Sequence, residues 1–162
     1  MFHMKPRKIK YKVTPSEGPV APHAWEEIRN QEKDGVLREP EAPYVVNRVR
    51  EGLPFDEFHA LQEMLGITEE KMGALVGMSR ATLHRRKKTG FLDRSESDRL
   101  VRYARILNCV AAFFQSHEAA ARWLGKPAFA FNGETPLDYA DTEIGAREVE
   151  ALVWRIENGV PN

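Results

Sequence analysis

The stretch from Thr68 to Lys88 constrains the fold more than any other part of the chain. Two short runs of helical spacing lie on either side of Gly77. Thr68 and Ser79 precede them, and a short side-chain oxygen there can accept a hydrogen bond from a first-turn backbone N–H. Gly73 sits in the middle of the first run, where close packing on a second helix calls for a small residue. Gly77 sits at the turn, where positive φ must be tolerated. Met72, Val76, Met78 and Leu83 occupy the flanking core positions. This is the pattern of a helix-turn-helix. Its second helix is expected to run to about Lys88 and to end at Gly90, exposing Ser79, Arg80, Thr82, His84, Arg85 and Arg86.

Such a second helix lies in the major groove of DNA and reads bases near its N-terminal half. Arg80 has the fork that pairs with O6 and N7 of guanine. Ser79, Thr82, Lys87 and Lys88 are placed to hold phosphates. The candidate DNA-binding set is therefore Ser79, Arg80, Thr82, His84, Arg85, Lys87 and Lys88. The competing reading is a pair of structural helices with a solvated basic face. Arg86 departs from the pattern, because it falls where an aliphatic core residue is usual. Either the helix is short or Arg86 lays its stem along the core.

The rest of the chain is punctuated in the same way. Residues 1–43 are Pro-rich, with Pro6, Pro15, Pro19, Pro22, Pro40 and Pro43. Proline forbids a long helix there. We expect an extended or disordered arm, with one short helix around Trp25 to Lys33. Tyr44 to Glu51 reads as a short helix stopped by Gly52 and Pro54, and Phe55 to Leu65 as another, ended by Gly66. The longest helix is expected to open at Ser95, with Asp98 as its capping-box acid. Leu100, Val101, Ala104, Leu107, Ala111 and Phe114 form its stripe, widened by Tyr103, Ile106, Val110 and Phe113, which suits a central buried helix. His117 to Leu124 is a further helix, Asn132-Gly133 a turn, and Thr135-Pro136 the start of a single helical turn through Tyr139. Thr142 caps the last helix, which turns Val149, Leu152, Val153 and Ile156 to one side and stops at Gly159. The one stretch with strand character is Phe129 to Phe131. The fold class is all-α, divided into the arm 1–43, a helix-turn-helix region 44–92 and a helical region 93–162.

Charge divides the chain as well. The formal net charge is zero, so no global field steers it toward nucleic acid. The first twelve residues nevertheless carry Lys5, Arg7, Lys8, Lys10 and Lys12 and no acid. From Ser79 to Arg105 nine bases stand against Asp93, Glu96 and Asp98. From Gln115 to the end eight acids outnumber four bases. A basic middle and an acidic tail suit different partners. Cys109 is the only cysteine, which excludes a disulfide framework and fits a reducing compartment. No apolar run reaches membrane-spanning length and no signal-peptide pattern opens the chain, so the expected location is the cytoplasm.

Several motifs now stand in order. Ser79, Thr82, Leu83, Arg85 and Arg86 form a Ser-x-x-Thr-Leu-x-Arg-Arg element, and Ser97, Arg99 and Leu100 a helix start. Trp123, Leu124 and Pro127 form a Trp-Leu followed by Pro. Gly133, Thr135, Pro136, Leu137 and Asp138 form Gly-x-Thr-Pro-Leu-Asp, followed by Thr142 and Gly145. Arg155, Ile156, Glu157 and Gly159 close the chain. In these elements, roughly from Leu53 to Val160, the sequence resembles the Xre/MbcA/ParS antitoxins.

That resemblance implies a Cro/Xre-like helix-turn-helix domain followed by a helical toxin-binding domain. It implies a RES-domain toxin, one that degrades NAD, as protein partner, and operator DNA of the shared operon as a second partner. It implies a homodimer, and a C-terminal segment that occludes the toxin's active site. Here that segment is Trp154, Arg155, Glu157, Asn158, Gly159 and Val160. Trp154 itself reads first as a core residue and second as a partner contact. An acidic tail suits a toxin whose cleft binds an anionic substrate. Nothing known of the family carries onto residues 1–43.

Catalytic chemistry finds no support in the residues. His3, His23, His59, His84 and His117 have no metal-ligand spacing with each other or with Cys109. Cys109 falls on the central helix and reads as core. There is no phosphate-cradling glycine loop, and Asp138 and Asp141 are better explained by capping and exposure than by acid–base work. No metal and no cofactor are expected, and the chain is not expected to be an enzyme. Two other readings remain open: a stand-alone helix-turn-helix regulator, and an interaction module that no longer binds DNA.

Overall fold

The computed structural model describes residues 42–160, with side chains from Val45 to Val160. The expected helix around Trp25 to Lys33 lies outside the described residues.

Helix α1 (Ala42–Glu51) begins two residues earlier than expected, because Pro43 fits a first turn, where a missing N–H costs nothing. It ends at Gly52, whose φ of +94° lets the chain turn against the carbonyl of Leu92. Helix α2 (Phe55–Leu65) follows Pro54 and closes on left-handed Gly66. Helix α3 (Glu69–Leu75) is capped by Thr68, which accepts from Lys71 N. Helix α4 (Arg80–Thr89) is capped by Ser79, which accepts from Thr82 N, and ends on left-handed Gly90. The segments on either side of this unit are zipped together. Phe55 N donates to the Gly90 carbonyl, Leu92 N to that of Leu53, and Leu53 N to Ser97 Oγ.

Helix α5 (Arg94–Phe114) is the longest, and it corrects one expectation. Its cap is Asp93, not Ser95, and its capping-box acid is Glu96, not Asp98. Asp93 Oδ1 accepts from Glu96 N while Glu96 Oε2 accepts from Asp93 N, both at 2.8 Å. The reciprocal pair satisfies two N–H groups that a start at Ser95 would leave exposed. Helix α6 (His117–Leu124) is capped by Ser116, helix α7 (Pro136–Tyr139) by Thr135, and helix α8 (Glu143–Glu157) by Thr142. Phe129–Phe131 is a 3₁₀ turn and not a strand. Among the described residues the only β-type pairing is an isolated bridge between Pro54 and Phe91, so Phe129–Phe131 has no neighbouring strand to pair with.

The core is one cluster around α5. Leu100, Tyr103, Ala104, Ile106, Leu107, Val110 and Ala111 are buried along it. Helices α1 and α2 pack on α5 from one side of the sequence, α6 and α8 from the other. The stripe fades at the C-terminal end of α5, where Phe114 reaches the surface, and on α8 Ile156 is exposed although its helix mates Val149, Leu152 and Val153 are buried. Cys109 is half-buried rather than internal. Burial pushes its thiol up, with the acids Glu150 and Glu157 adding to the shift. Among the described residues no helix is long and apolar enough to cross a membrane.

Candidate functional site

The helix-turn-helix is built from α3, the Gly77 turn and α4. Met72, Val76, Met78 and Leu83 are all buried and clamp the two helices together. At the turn, Met78 N donates to the Gly73 carbonyl at 2.8 Å and Gly77 N to that of Ala74 at 3.0 Å. Gly77 has φ +80°, and a Cβ there would stand 1.6 Å from Nη1 of Arg99, which itself donates to the Val76 carbonyl. Gly73 is less demanding than its spacing suggested. A Cβ there would meet Leu83 Cδ2 at 3.5 Å, an ordinary contact.

Helix α4 presents Arg80, Ala81, His84, Arg85 and Lys88 on one exposed face, at the spacing that keeps side chains in register along a helix. Among the described residues Arg80, His84, Arg85 and Lys88 make no ion pair, so their donors face outward. Ser79 and Thr82 are spent partly on the cap, with their oxygens 3.0 Å apart. Lys87 is tied to Glu69 on α3 at 2.7 Å.

Arg86 does not point outward as the exposed set assumed. Its Nε donates to Glu96 Oε2 and its Nη2 to Asp93 Oδ2, so it anchors the end of α4 to the start of α5. The departure from an aliphatic residue is thus matched by a buried carboxylate on the facing helix. The excess of bases between Ser79 and Arg105 is likewise not one surface. Arg102 donates to the Asp141 carbonyl, and Arg105 to Glu143 and Glu150 on α8. With Arg86 and Arg99 turned inward, the outward charge shrinks to Arg80, Arg85, Lys88 and Arg94. Counting charges along the sequence could not separate the two groups, because α5 shows one side to α4 and another to α8.

The second candidate surface is the C-terminal end of α8. Trp154 is 59% exposed, which overturns its reading as core. It lies outside the buried arc of Val149, Leu152 and Val153, and no neighbour among the described residues covers the large aromatic there. Ile156 and Val160 are exposed beside it. Arg155 is half-buried, and Glu157, Asn158 and Gly159 are exposed. The end is ordered by its own hydrogen bonds: Asn158 Nδ2 donates to the Trp154 carbonyl at 2.8 Å, and Val160 N to that of Arg155 at 2.9 Å around left-handed Gly159. The Thr-Pro-Leu-Asp element supports this helix from below. Thr135 caps α7, and Gly145 packs so closely on it that a Cβ would lie 1.9 Å from the Tyr139 carbonyl. Asp138 splits its oxygens between Thr135 Oγ1 and the ammonium of Lys71 on α3. Burial pushes the Asp138 carboxyl up, but Lys71 and Thr135 outweigh it and hold the group below its ordinary range. Sequence reasoning missed Lys71 and Glu69, since partners remote in sequence leave no spacing signal.

Residues 45–105 match the antitoxin Xre-like helix-turn-helix domain, and residues 110–159 match the antitoxin Xre/MbcA/ParS C-terminal toxin-binding domain. The chain belongs to the Xre/MbcA/ParS antitoxins. Among relatives, the protein named Antitoxin Xre of Yersinia enterocolitica is 26% identical over 118 residues, 72% of this chain and 80% of that protein. That of Photorhabdus laumondii is 28% identical over 120 residues, 73% of this chain and 81% of that one. That of Pseudomonas putida is 41% identical over 64 residues, and the match spans only 40% of each protein. This antitoxin therefore carries a helix-turn-helix domain and a toxin-binding domain in that order, and its partner classes are a toxin and DNA.

Proposed function

We propose that this antitoxin neutralises an NAD-degrading RES-domain toxin by covering the toxin's active site with Trp154, Arg155, Glu157, Asn158, Gly159 and Val160. The observation that carries the reading is the exposure of Trp154, Ile156 and Val160 at one end of the toxin-binding domain. A large aromatic held on an ordered helix end is a suitable anchor for a partner's pocket. Asp138 is spent on Lys71, and Glu143 and Glu150 on Arg105, so within the segment the exposed Glu157 is the acid that favours a cleft with positive potential, as a cleft for an anionic nucleotide needs. The antitoxin has no catalytic role of its own in this reading, and it acts in the cytoplasm as a homodimer. Co-purification of the toxin with the full chain, and its loss when the chain stops at Trp154, is the direct test. A truncated chain that still binds and neutralises would refute the occluding segment.

We further propose that the same chain represses its operon through α4. Arg80 and Arg85 read bases, with His84 beside them, while Ser79, Thr82, Lys87 and Lys88 hold the backbone. Region 44–92 carries this face, region 93–162 carries the contacts with toxin and second copy, and the arm 1–43 stands outside both. Binding to the operator should weaken steeply with salt, as it does when cations displace phosphate counterions. Equal affinity for all duplexes at moderate salt would count against specific repression.

A further inference from the structure

Helices α5 and α8 pack side by side and run in the same direction. Arg102 on α5 reaches Glu143, and Arg105 reaches both Glu143 and Glu150. One turn on, Cys109 lies within electrostatic reach of Glu150 and Glu157. Arg102, Arg105, Cys109 and Phe113 follow at steps of three or four residues and share one face of α5. Glu143, Glu150, Trp154 and Glu157 share one face of α8 in the same way. Both helices rise by about 1.5 Å per residue. The register that sets Arg102 against Glu143 and Cys109 against Glu150 therefore sets Phe113 level with Trp154. The seam between the helices begins in ion pairs and ends in aromatic rings.

The rings do not stop at α5. Phe113 meets Phe114 with centroids 4.9 Å apart, and Phe114 meets Trp123 on α6 at 6.2 Å. Phe113 and Trp123 rest on the core, while Phe114 is 36% exposed. The apolar surface that Trp154 presents thus continues across the end of α5 onto α6. Every one of these residues falls within 110–159, the stretch that matches the toxin-binding domain. That match, and continuity with the segment that begins at Trp154, argue for the toxin as occupant. Uncharged rings call for an apolar patch on the partner.

We propose that Phe114 and Trp123 are toxin contacts, which meet an apolar patch beside the toxin's cleft while the segment from Trp154 onward covers the cleft itself. This rests on the toxin reading above and extends its footprint onto α5 and α6.

The test is the affinity of the full chain for the purified product of the neighbouring open reading frame, with the mass of the free chain measured by sedimentation equilibrium. Phe114→Glu should raise the dissociation constant tenfold or more, and Phe114→Leu should stay within threefold of wild type. Ala112→Arg, at an exposed position in the same turn, should weaken binding as Phe114→Glu does, and it carries the test if Phe114→Glu lowers the Tm. Phe129→Glu is the control, because Phe129 is a fully exposed ring of the same domain outside this seam, and it should bind as wild type. Wild-type affinity in Phe114→Glu, with binding lost in a chain ending at Trp154, would overturn the proposal and leave the covering segment standing. Equal weakening by Phe129→Glu would also overturn it, since the added charge and not its place would then matter. A lighter free chain with toxin affinity kept would assign Phe114 to a second copy and overturn it too. No binding by the wild-type chain would overturn the toxin reading and this surface together.

Discussion

Arg86 Nε donates to Glu96 Oε2 at 2.7 Å while its Nη2 donates to Asp93 Oδ2 at 2.8 Å. One guanidinium thus ties the last turn of α4 to the capping box of α5. The Glu96 side chain is only 6% exposed, so removing Arg86 strands a buried carboxylate. Arg86→Ala should cost about 3 kcal/mol in urea unfolding, the range for breaking one side of a buried pair. Arg122→Ala is the control, because the Arg122–Glu118 pair is exposed and such pairs contribute about 0.5 kcal/mol. Equal losses for the two variants would contradict the anchoring role.

The two glycines of the helix-turn-helix should part company. Gly73→Ala meets only an ordinary contact with Leu83, and alanine gains up to about 1 kcal/mol of helix propensity over glycine. Its Tm should hold or rise. Gly77→Ala forces a Cβ into positive φ and into the Arg99 guanidinium, so its Tm should fall by several degrees or more. The same Tm for both variants would show that the turn is not built as described.

Tyr103 is fully buried on α5, and its hydroxyl has no hydrogen-bond partner among the described residues. Burial pushes the phenol up to about 12, with Arg102 working the other way, so it stays protonated at any working pH. A buried donor without a partner is a cost that a phenyl ring does not carry. Tyr103→Phe should therefore leave stability unchanged or raise it by about 1 kcal/mol. A loss of that size in thermal unfolding would mean the hydroxyl is satisfied after all.

Acid should weaken the junctions between helices. For Asp93, burial raises the carboxyl, but the Glu96 N–H, the Ser95 hydroxyl and Arg86 together hold it below its ordinary 3.8. Glu143 behaves alike, with burial opposed by Arg147 and Arg105, and so does Asp138 with Lys71 and Thr135. A folded-state value below the unfolded one means that the unfolded chain binds the proton first. The stabilisation is complete above the unfolded values and fades as pH falls through the folded ones. Unfolding free energy should be level near neutrality and drop below about pH 5. Asp138→Asn should flatten part of that drop.

Much of this architecture was legible in the residues. Glycines and prolines mark where helices must stop, and Thr68, Ser79, Thr135 and Thr142 cap in the structure as their side chains allow. The start of α5 was misjudged because Ser95 and Asp93 are both competent caps, and only the reciprocal bond with Glu96 decides between them. Trp154 was misplaced because periodicity cannot rank the edge of a buried arc. The roles of Lys87, Arg102 and Arg105 depend on acids tens of residues away or on another helix, and no local pattern carries that information.

The C-terminal segment of this antitoxin is proposed to cover a toxin that destroys NAD. The most direct measurement is intracellular NAD in cells expressing the neighbouring open reading frame, the candidate toxin, alone, with the full chain, and with a chain ending at Trp154. NAD should collapse with the toxin alone, recover with the full chain and collapse again with the truncated one. Unchanged NAD with the toxin alone would contradict the partnership, and recovery with the truncated chain would contradict the occluding segment.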